Sequence, residues 1–260
     1  KALLWDDVNL ENTNQNSGEI ILEREAIDLK MFDYVYWSTP VANFKVGDLR
    51  GTRNYEWNVK RDNNNGTLGN WVSPLGTGMM APGKGYIVRV PTPEVTPPSL
   101  PINEDDIFQL TSTFIGRPNN GEYRIKIYDT GNDGDISAMD EGDKDWNLIG
   151  NPYPSALSAE KFLIVNAGVV NRNEIVYDGG IIEGGIYLWT HKNKIEKGGG
   201  NPYYENFGYN YNSADYLVYN GTASTNSKFE GYIASGQGFF VRAKANNVDV
   251  KFTNAMRFET

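Results

Sequence analysis

The sequence predicts an all-β protein made of two tandem β-sandwich, jelly-roll-like units related by an internal repeat. Three observations carry this expectation. The block GMMAPGKGYIVR (78–89) aligns without gaps on GYIASGQGFFVR (231–242), with six of twelve positions identical. Segments of four to eight residues rich in Tyr, Val, Ile and Phe alternate with Gly, Asn and Pro clusters along the chain, the pattern of short strands joined by turns. The length of 260 residues suits one large β domain or two of about 100–150 residues each.

The repeat extends beyond its best-matched block. YVYWSTP (34–40) resembles WNLIGNP (146–152), an aromatic-aliphatic run that ends in a proline turn, and YEWN (55–58) sits opposite YLWT (187–190), pairing Trp57 with Trp189. Downstream, Phe114 takes the place of Phe252. The distance from Arg89 to Phe114 is 25 residues, against 10 from Arg242 to Phe252, and the excess coincides with a proline-rich insertion at 91–103. Five prolines stiffen that stretch toward polyproline II. The units expected are 1–128, carrying the insertion, and 129–260, which opens with an acidic loop at 129–145.

Strands are expected at 19–24, 34–38, 55–59, 86–90, 107–114 and 122–128 in the first unit. In the second they are expected at 146–149, 185–189, 216–219, 229–233, 238–243 and 248–252. Phe239, Val241 and Ala243 share one face by the two-residue period, and Arg242 points the other way. One helical turn is expected in SAEKFLIVN, with Ser158 as N-cap and Glu160 in the first turn. GTGMMAPGKG is read as a strand-entry turn, because it lacks the Lys-Ser/Thr ending of a phosphate loop and leads into a strand.

Composition excludes several classes of function. A net charge of -9 without basic runs argues against nucleic acid, whose affinity comes from Lys and Arg displacing counterions. No apolar run approaches the roughly 20 residues that span a bilayer. With no cysteine, disulfides and thiolate metal sites are impossible. The start KALLWDD lacks the regions of a signal peptide, and the chain is read as a piece or processed product of a larger polypeptide.

YWSTPV, GKGYIVRVP, FIGRPNNG, WNLIGNPYPSAL, IYLWTHKN, GQGFFVRA and FTNAMR, in that order, resemble the region near the C-terminus of large secreted flavobacterial (Bacteroidetes) surface proteins exported by the type IX secretion system. The resemblance covers nearly the whole chain. It implies a secreted or outer-surface location and a low-cysteine β architecture, and it supplies no catalytic residues.

Two segments are candidate sites. Residues 129–145 hold seven carboxylates against one lysine. Within them DTGNDGDISAMD follows a calcium loop, with Asp129, Asp133, Asp135 and Asp140 as ligands and Gly134 at the sharp turn. Gly131 stands where a further Asp or Asn ligand is expected. A solvated acidic loop is the alternative. The second segment, NPYYENFGYNYNSADYLVY, carries seven aromatics among Asn, Gly and Ser. Tyr203, Tyr204, Tyr209 and Tyr211, together with Trp189, could stack sugar rings while neighbouring amides bind the hydroxyls; the alternative is a loop whose tyrosines pack on the sheet. Trp5 and Trp71 are weaker candidates of the same kind. The single histidine, His191, is expected at the surface, and a lone His cannot build a zinc site of two or three imidazoles.

The function expected is therefore a non-catalytic extracellular β module with an adhesive or structural role and a glycan or cell-surface ligand. A carbohydrate-binding module using the Tyr-rich loop is the first alternative, and a polysaccharide-active enzyme the second. Neither GxSxG nor HExxH occurs in the chain.

Overall fold

The computed structural model of the chain describes residues 14–30, 33–51, 53–62, 68–90, 107–129, 145–171, 174–177, 179–191, 215–221, 224–226 and 229–258. Its elements follow the alternation of the sequence. The first set of strands is β1 (Ile20–Leu29), β2 (Tyr34–Trp37), β3 (Asn54–Asp62), β4 (Leu68–Val72), β5 (Tyr86–Arg89) and β6 (Phe108–Gly116). Then come β7 (Tyr123–Ile127), β8 (Trp146–Gly150), β9 (Leu157–Ser158), α1 (Ala159–Ala167), β10 (Val169–Asn171) and β11 (Glu174–Tyr177). The chain closes with β12 (Ile186–Trp189), β13 (Tyr216–Tyr219), β14 (Tyr232–Ile233), β15 (Gly238–Arg242) and β16 (Val248–Phe252). The fold is all-β apart from one nine-residue helix.

Each half builds a two-stranded ribbon and a four-stranded antiparallel sheet. The first half has β1-β6 and β2-β5-β3-β4; the second has β16-β7 and β13-β12-β15-β8. When β2 is set on β8, β5 on β15, β3 on β12 and β4 on β13, the two sheets have the same strand order. The ribbons correspond in the same way, with Phe114 of β6 opposite Leu22 and Phe252 of β16 opposite Tyr123. Counted by pairing, the second set starts at Tyr123 in β7, one strand ahead of the expected boundary at 128/129. The acidic segment then lies between the first two strands of the second set.

Alternation along the strands produces three packed layers. Val35, Trp37, Tyr86 and Val88 face the first ribbon and pack with Leu110 and Phe114. Phe239 and Val241, followed by Ala243, face the second ribbon and the helix, packing with Phe162, Val250 and Phe252. Phe114 and Phe252 are each 0% exposed, and burying a phenyl ring fully stabilises by about 1.5–3 kcal/mol. The remaining face of each four-stranded sheet packs against the other sheet, with Tyr34, Tyr36 and Ile87 meeting Leu148, Trp189 and Phe240.

The helix forms where expected. Ser158 caps it by accepting the Lys161 N–H at 3.2 Å, and Gly168 ends it in the left-handed conformation at φ 72°. It has no counterpart among the described residues of the first half. Several expectations were inexact, and the short strands β9, β10 and β11 were not expected. β1 runs on to Leu29: the two-residue alternation continues to Ile27, and an irregularity at Asp28, with φ 58°, brings Leu29 back into the core. β4, with Trp71, was missed, and the strand expected at 229–233 is only Tyr232–Ile233. The proline-rich insertion lies outside the described residues.

The two halves meet by making the same contact twice. The Ser38 N–H donates to the Gly236 carbonyl at 2.7 Å, and the Gly150 N–H donates to the Gly83 carbonyl at 2.9 Å. Ser38 corresponds to Gly150 and Gly83 to Gly236 in the repeat, so the bonds are related by exchanging the halves. The bridges Trp37 to Gln237 and Lys84 to Ile149 are exchanged likewise. This is the self-complementary geometry of a two-fold dimer, realised here within one chain.

It explains the glycines that dominate the repeat. Gly83 and Gly236 occupy φ 86° and 64°, at the third position of turns closed by the Lys84 N–H to Ala81 and the Gln237 N–H to Ala234. A side chain on Gly150 would stand 2.5 Å from the Ser38 Cβ, and one on Gly85 2.5 Å from the Leu148 Cγ. Gly150→Ala should therefore lower the unfolding free energy by about 1–3 kcal/mol. Gly185→Ala, whose new carbon would lie 3.7 Å from Tyr187, should be near neutral. Urea unfolding checks both, and the shared middle layer requires one cooperative transition rather than two.

Candidate functional site

The junction between the sheets gathers ten aromatic residues, including Trp57, Trp71, Trp146 and Trp189. Phe240 lies at its centre, with Tyr36, Trp57, Trp71, Trp146 and Tyr216 presenting edges and faces at 5.9–6.1 Å between centroids. Edge-to-face pairs of this kind add about 0.5–1.5 kcal/mol beyond their buried area. The matched indoles both donate across the junction. Trp57 Nε1 donates to the Trp146 carbonyl at 2.7 Å, and Trp189 Nε1 to Asp33 Oδ1 at 3.1 Å.

Trp189 is therefore no sugar platform. It is 6% exposed, its ring stacks on Tyr36 with an interplanar angle of 3°, and Tyr216 covers it edge-on. The strand-end position that suggested a binding role instead carries the indole into the other half. Trp71, the weaker candidate, packs its ring 5.1 Å from that of Trp57.

Asp33 is the principal polar residue of this junction, and sequence reasoning did not select it. It is fully buried. Its carboxylate accepts the Tyr34 N–H at 2.9 Å and the Trp189 indole, and His191 Nδ1 lies 3.1 Å from Oδ2. His191 is thus held against a buried carboxylate, with a left-handed backbone at φ 57°, rather than standing free at the surface. A signal for Asp33 was present in the repeat. One residue before the matched blocks stand Asp33 and Asp145, and their carbonyls accept the Val90 and Ala243 N–H groups, both at 2.9 Å. Asp145 pairs with Arg242 at 3.0 Å, and Arg242 lies over the Trp146 ring.

Buried amides hold the connections. Asn119 donates to the carbonyls of Thr39 and Pro152, one from each half. Asn151 donates to Ser155, Ile233 and Ala234 while its oxygen accepts the Tyr153 N–H. Asn147 ties Tyr128 to Asp145 through three bonds. Each satisfies backbone groups that would be costly to bury unpaired.

One cleft opens between the halves, about 350 Å³ in volume, lined by Glu56, Trp57, Lys60 and Lys84 from the first and Lys126, Tyr128 and Asn147 from β7 and β8. Lys84 pairs with Glu56 at 2.8 Å, and Lys60 sits 4.0 Å over the Tyr128 ring. Its size falls in the range of small-ligand sites, about 300–1,000 Å³. Its lining offers ammonium and amide donors, one carboxylate and aromatic surface, which suit a hydroxylated ligand. A shallower groove of about 590 Å³ runs beside Val46, Arg53, Tyr55 and Pro74.

The remaining candidate residues are not brought together. Tyr203, Tyr204, Tyr209 and Tyr211 lie outside the described residues, as do Asp133, Asp135, Asp140 and Trp5. Asp129 is described, at the end of the segment following β7. Among the described residues no group of three or more His, Asp or Glu could hold a metal ion.

Residues 5–260 match a family described as a domain of unknown function, DUF8693. No curated protein and no solved structure matches the chain.

Asp33→Ala should cost about 1–3 kcal/mol by leaving buried donors without an acceptor, whereas Asp33→Asn, which keeps Oδ1, should cost less; thermal and urea unfolding separate the two. A second expectation concerns alkaline pH. Burial pushes the phenols of Tyr34 and Tyr216 upward and that of Tyr86 to about 12. The fold holds these protons more tightly than the unfolded chain, where tyrosine titrates near pH 10. The stability they contribute is complete below about pH 10 and is lost as pH rises through the folded values. Phenolate absorbance of these residues should therefore appear together with loss of near-UV dichroism, not before it.

Proposed function

This chain belongs to the DUF8693 family, a domain of unknown function, and we propose that it acts as a non-catalytic structural or adhesive β module of a larger bacterial protein. The observation that supports this most is the junction itself. Its aromatic rings, the buried Asp33 and the buried amides Asn119, Asn147 and Asn151 all join strands, loops and halves into one stiff body. That investment suits a part that bears load or presents loops. The seven blocks that resemble type IX-exported surface proteins support a secreted or outer-surface location. No helix among the described residues is long and apolar enough to cross a membrane. The calcium loop is part of the proposal, with Asp129, Asp133, Asp135 and Asp140 as its ligands.

Carbohydrate binding is the second reading, favoured by the cleft between the halves. Trp57 and Tyr128 offer aromatic surface there beside Glu56, Lys60, Lys84 and Asn147. In this reading Tyr203, Tyr204, Tyr209 and Tyr211 supply a further platform.

A glycan array combined with a reducing-end assay on polysaccharides tests these readings. The structural or adhesive module predicts no new reducing ends and no glycan retention that depends on Tyr128 or Tyr209. Retention lost in Tyr128→Ala or Tyr209→Ala would replace it with the second reading, and release of reducing ends would overturn both. Calorimetry should show calcium binding below millimolar that is abolished in the Asp129→Asn, Asp133→Asn double variant; no heat, or heat unchanged by the variant, removes the metal from the proposal.

A further inference from the structure

The two ribbons are built alike but are not covered alike. In the second half, α1 packs along β16, and Asn166 takes the place of a neighbouring strand. Its side-chain oxygen accepts the Lys251 N–H at 2.8 Å, and its amide donates to the Lys251 carbonyl at 3.0 Å. The edge of β16 turned away from β7 is thereby capped. Lys251 faces Arg124 across its ribbon as Thr113 faces Glu23 across the other. By the same register, the peptide groups of Thr113, and of Thr111 two residues before it, point away from β1.

Among the described residues no helix, amide or strand caps that edge from Ile107 to Ile115. The neighbouring chain reaches it only from Gly116 onward, where Val41 and Ala42 pack on Gly116, the Ala42 N–H donates to the Arg117 carbonyl and Val41 bridges Pro118. Natural sheets protect such edges with charge, proline or bulges. β1 follows that rule with Glu23, Arg24, Glu25 and Asp28, whereas Ile107 to Gly116 contains no charged residue and no proline in a chain of net charge -9.

We infer that β6 is a self-association edge: two copies of this chain pair β6 with β6 antiparallel about a two-fold axis at Thr111. The register is self-complementary. Thr111 meets its own mate, Gln109 meets Thr113, and Ile107 meets Ile115. The apolar residues fall at both ends of the pairing and neutral hydrogen-bonding residues in the middle, with no like charges opposed. All five belong to one alternation, so their outward peptide groups form the closely bonded pairs of the antiparallel ladder.

Exposure of the outer face supports the same occupant. Ile115 is 53% exposed, Ile107 69% and Ile21, directly opposite Ile115 on β1, 71%. Pairing sets Ile107 of the partner copy beside Ile115, making an apolar row of Ile21, Ile115 and that Ile107 across the new four-stranded sheet. Single exposed isoleucines are ordinary, but a row assembled by symmetry is a contact surface. The two-fold inside the chain is thus followed by a second one between chains.

Sedimentation over a range of concentrations tests the inference, with the mass expected to rise from one copy toward two. Thr111→Lys should hold the protein at one copy without lowering its thermal midpoint, because the residue faces outward. Thr111→Pro should do the same by removing an edge donor. The absence of cysteine permits a sharper readout. In a bonded antiparallel pair the two Cα atoms of residue 111 lie about 5.5 Å apart, inside the range of about 4.4–6.8 Å that a disulfide bridges. Thr111→Cys should oxidise to a covalent dimer, while Glu23→Cys, on the far strand of the same face, should not. A single copy at every concentration, with Thr111→Cys no more cross-linked than Glu23→Cys, would overturn the inference.

Discussion

The structure depends on one close approach of backbones. Where β2 ends and β15 begins, and again where β8 ends and β5 begins, the halves come within hydrogen-bonding distance along their main chains. Such proximity leaves no room for side chains at Gly85, Gly150 and Gly238, or for any turn other than one with glycine at φ 86° or 64°. The rest follows from these contacts. Once the two sheet ends are pinned, the outer faces of both sheets are forced together, and those faces must be apolar. Large aromatics suit the task because each fills space between two flat sheets and Trp and Tyr can still place a polar atom at the rim.

That requirement accounts for the aromatic residues that stand between the two sheets. Trp57 and Trp189 occupy corresponding strands, and each sends its indole N–H into the opposite half. Tyr36 and Tyr216 come from different halves and join hydroxyls at 3.0 Å. A two-fold arrangement needs only one set of such residues, used twice. Their partners differ, however: Trp57 finds a backbone carbonyl and Trp189 a carboxylate. The two halves therefore differ at the rim while the contact at the centre has the same form in both.

The strands were legible because a half-buried strand must alternate. The likeness of blocks 78–89 and 231–242 rests on Gly83, Gly85, Gly236 and Gly238, where an added Cβ would stand within 3.2 Å of a neighbour. The expected helix was legible from Ser158 and Glu160 alone. What could not be read was the relation of the two copies. Periodicity says that Tyr34 and Tyr36 share a face, but solvent and a second sheet are equivalent to a sequence pattern. Trp189 looked like a ligand platform for this reason: an aromatic at a strand end has the same signature whether a sugar or Tyr36 lies on it. Asp33 and its counterpart Asp145 precede matched blocks, but a single carboxylate in each copy carries no motif; the role of Asp33 comes from Trp189 and His191, which stand more than 150 residues away in the chain.

The differences between the halves now carry more functional information than their likeness. Contacts made twice are those that hold the body together, and substitution there is felt as loss of fold. Features present once are released from that duty. Among the described residues the second half alone has the α-helix, and its sequence alone carries the acidic segment between β7 and β8 and the Tyr-rich segment between β12 and β13. The first half alone leaves a long uncharged edge. In the second half the equivalent edge is closed by Asn166, a residue 85 positions from the backbone it caps. An amide placed so far along the chain to satisfy one peptide unit indicates that an open edge is a liability in this fold. The first half leaves the same edge without charge or proline, and without a cap among the described residues, which is the opening that the inferred β6 pairing uses.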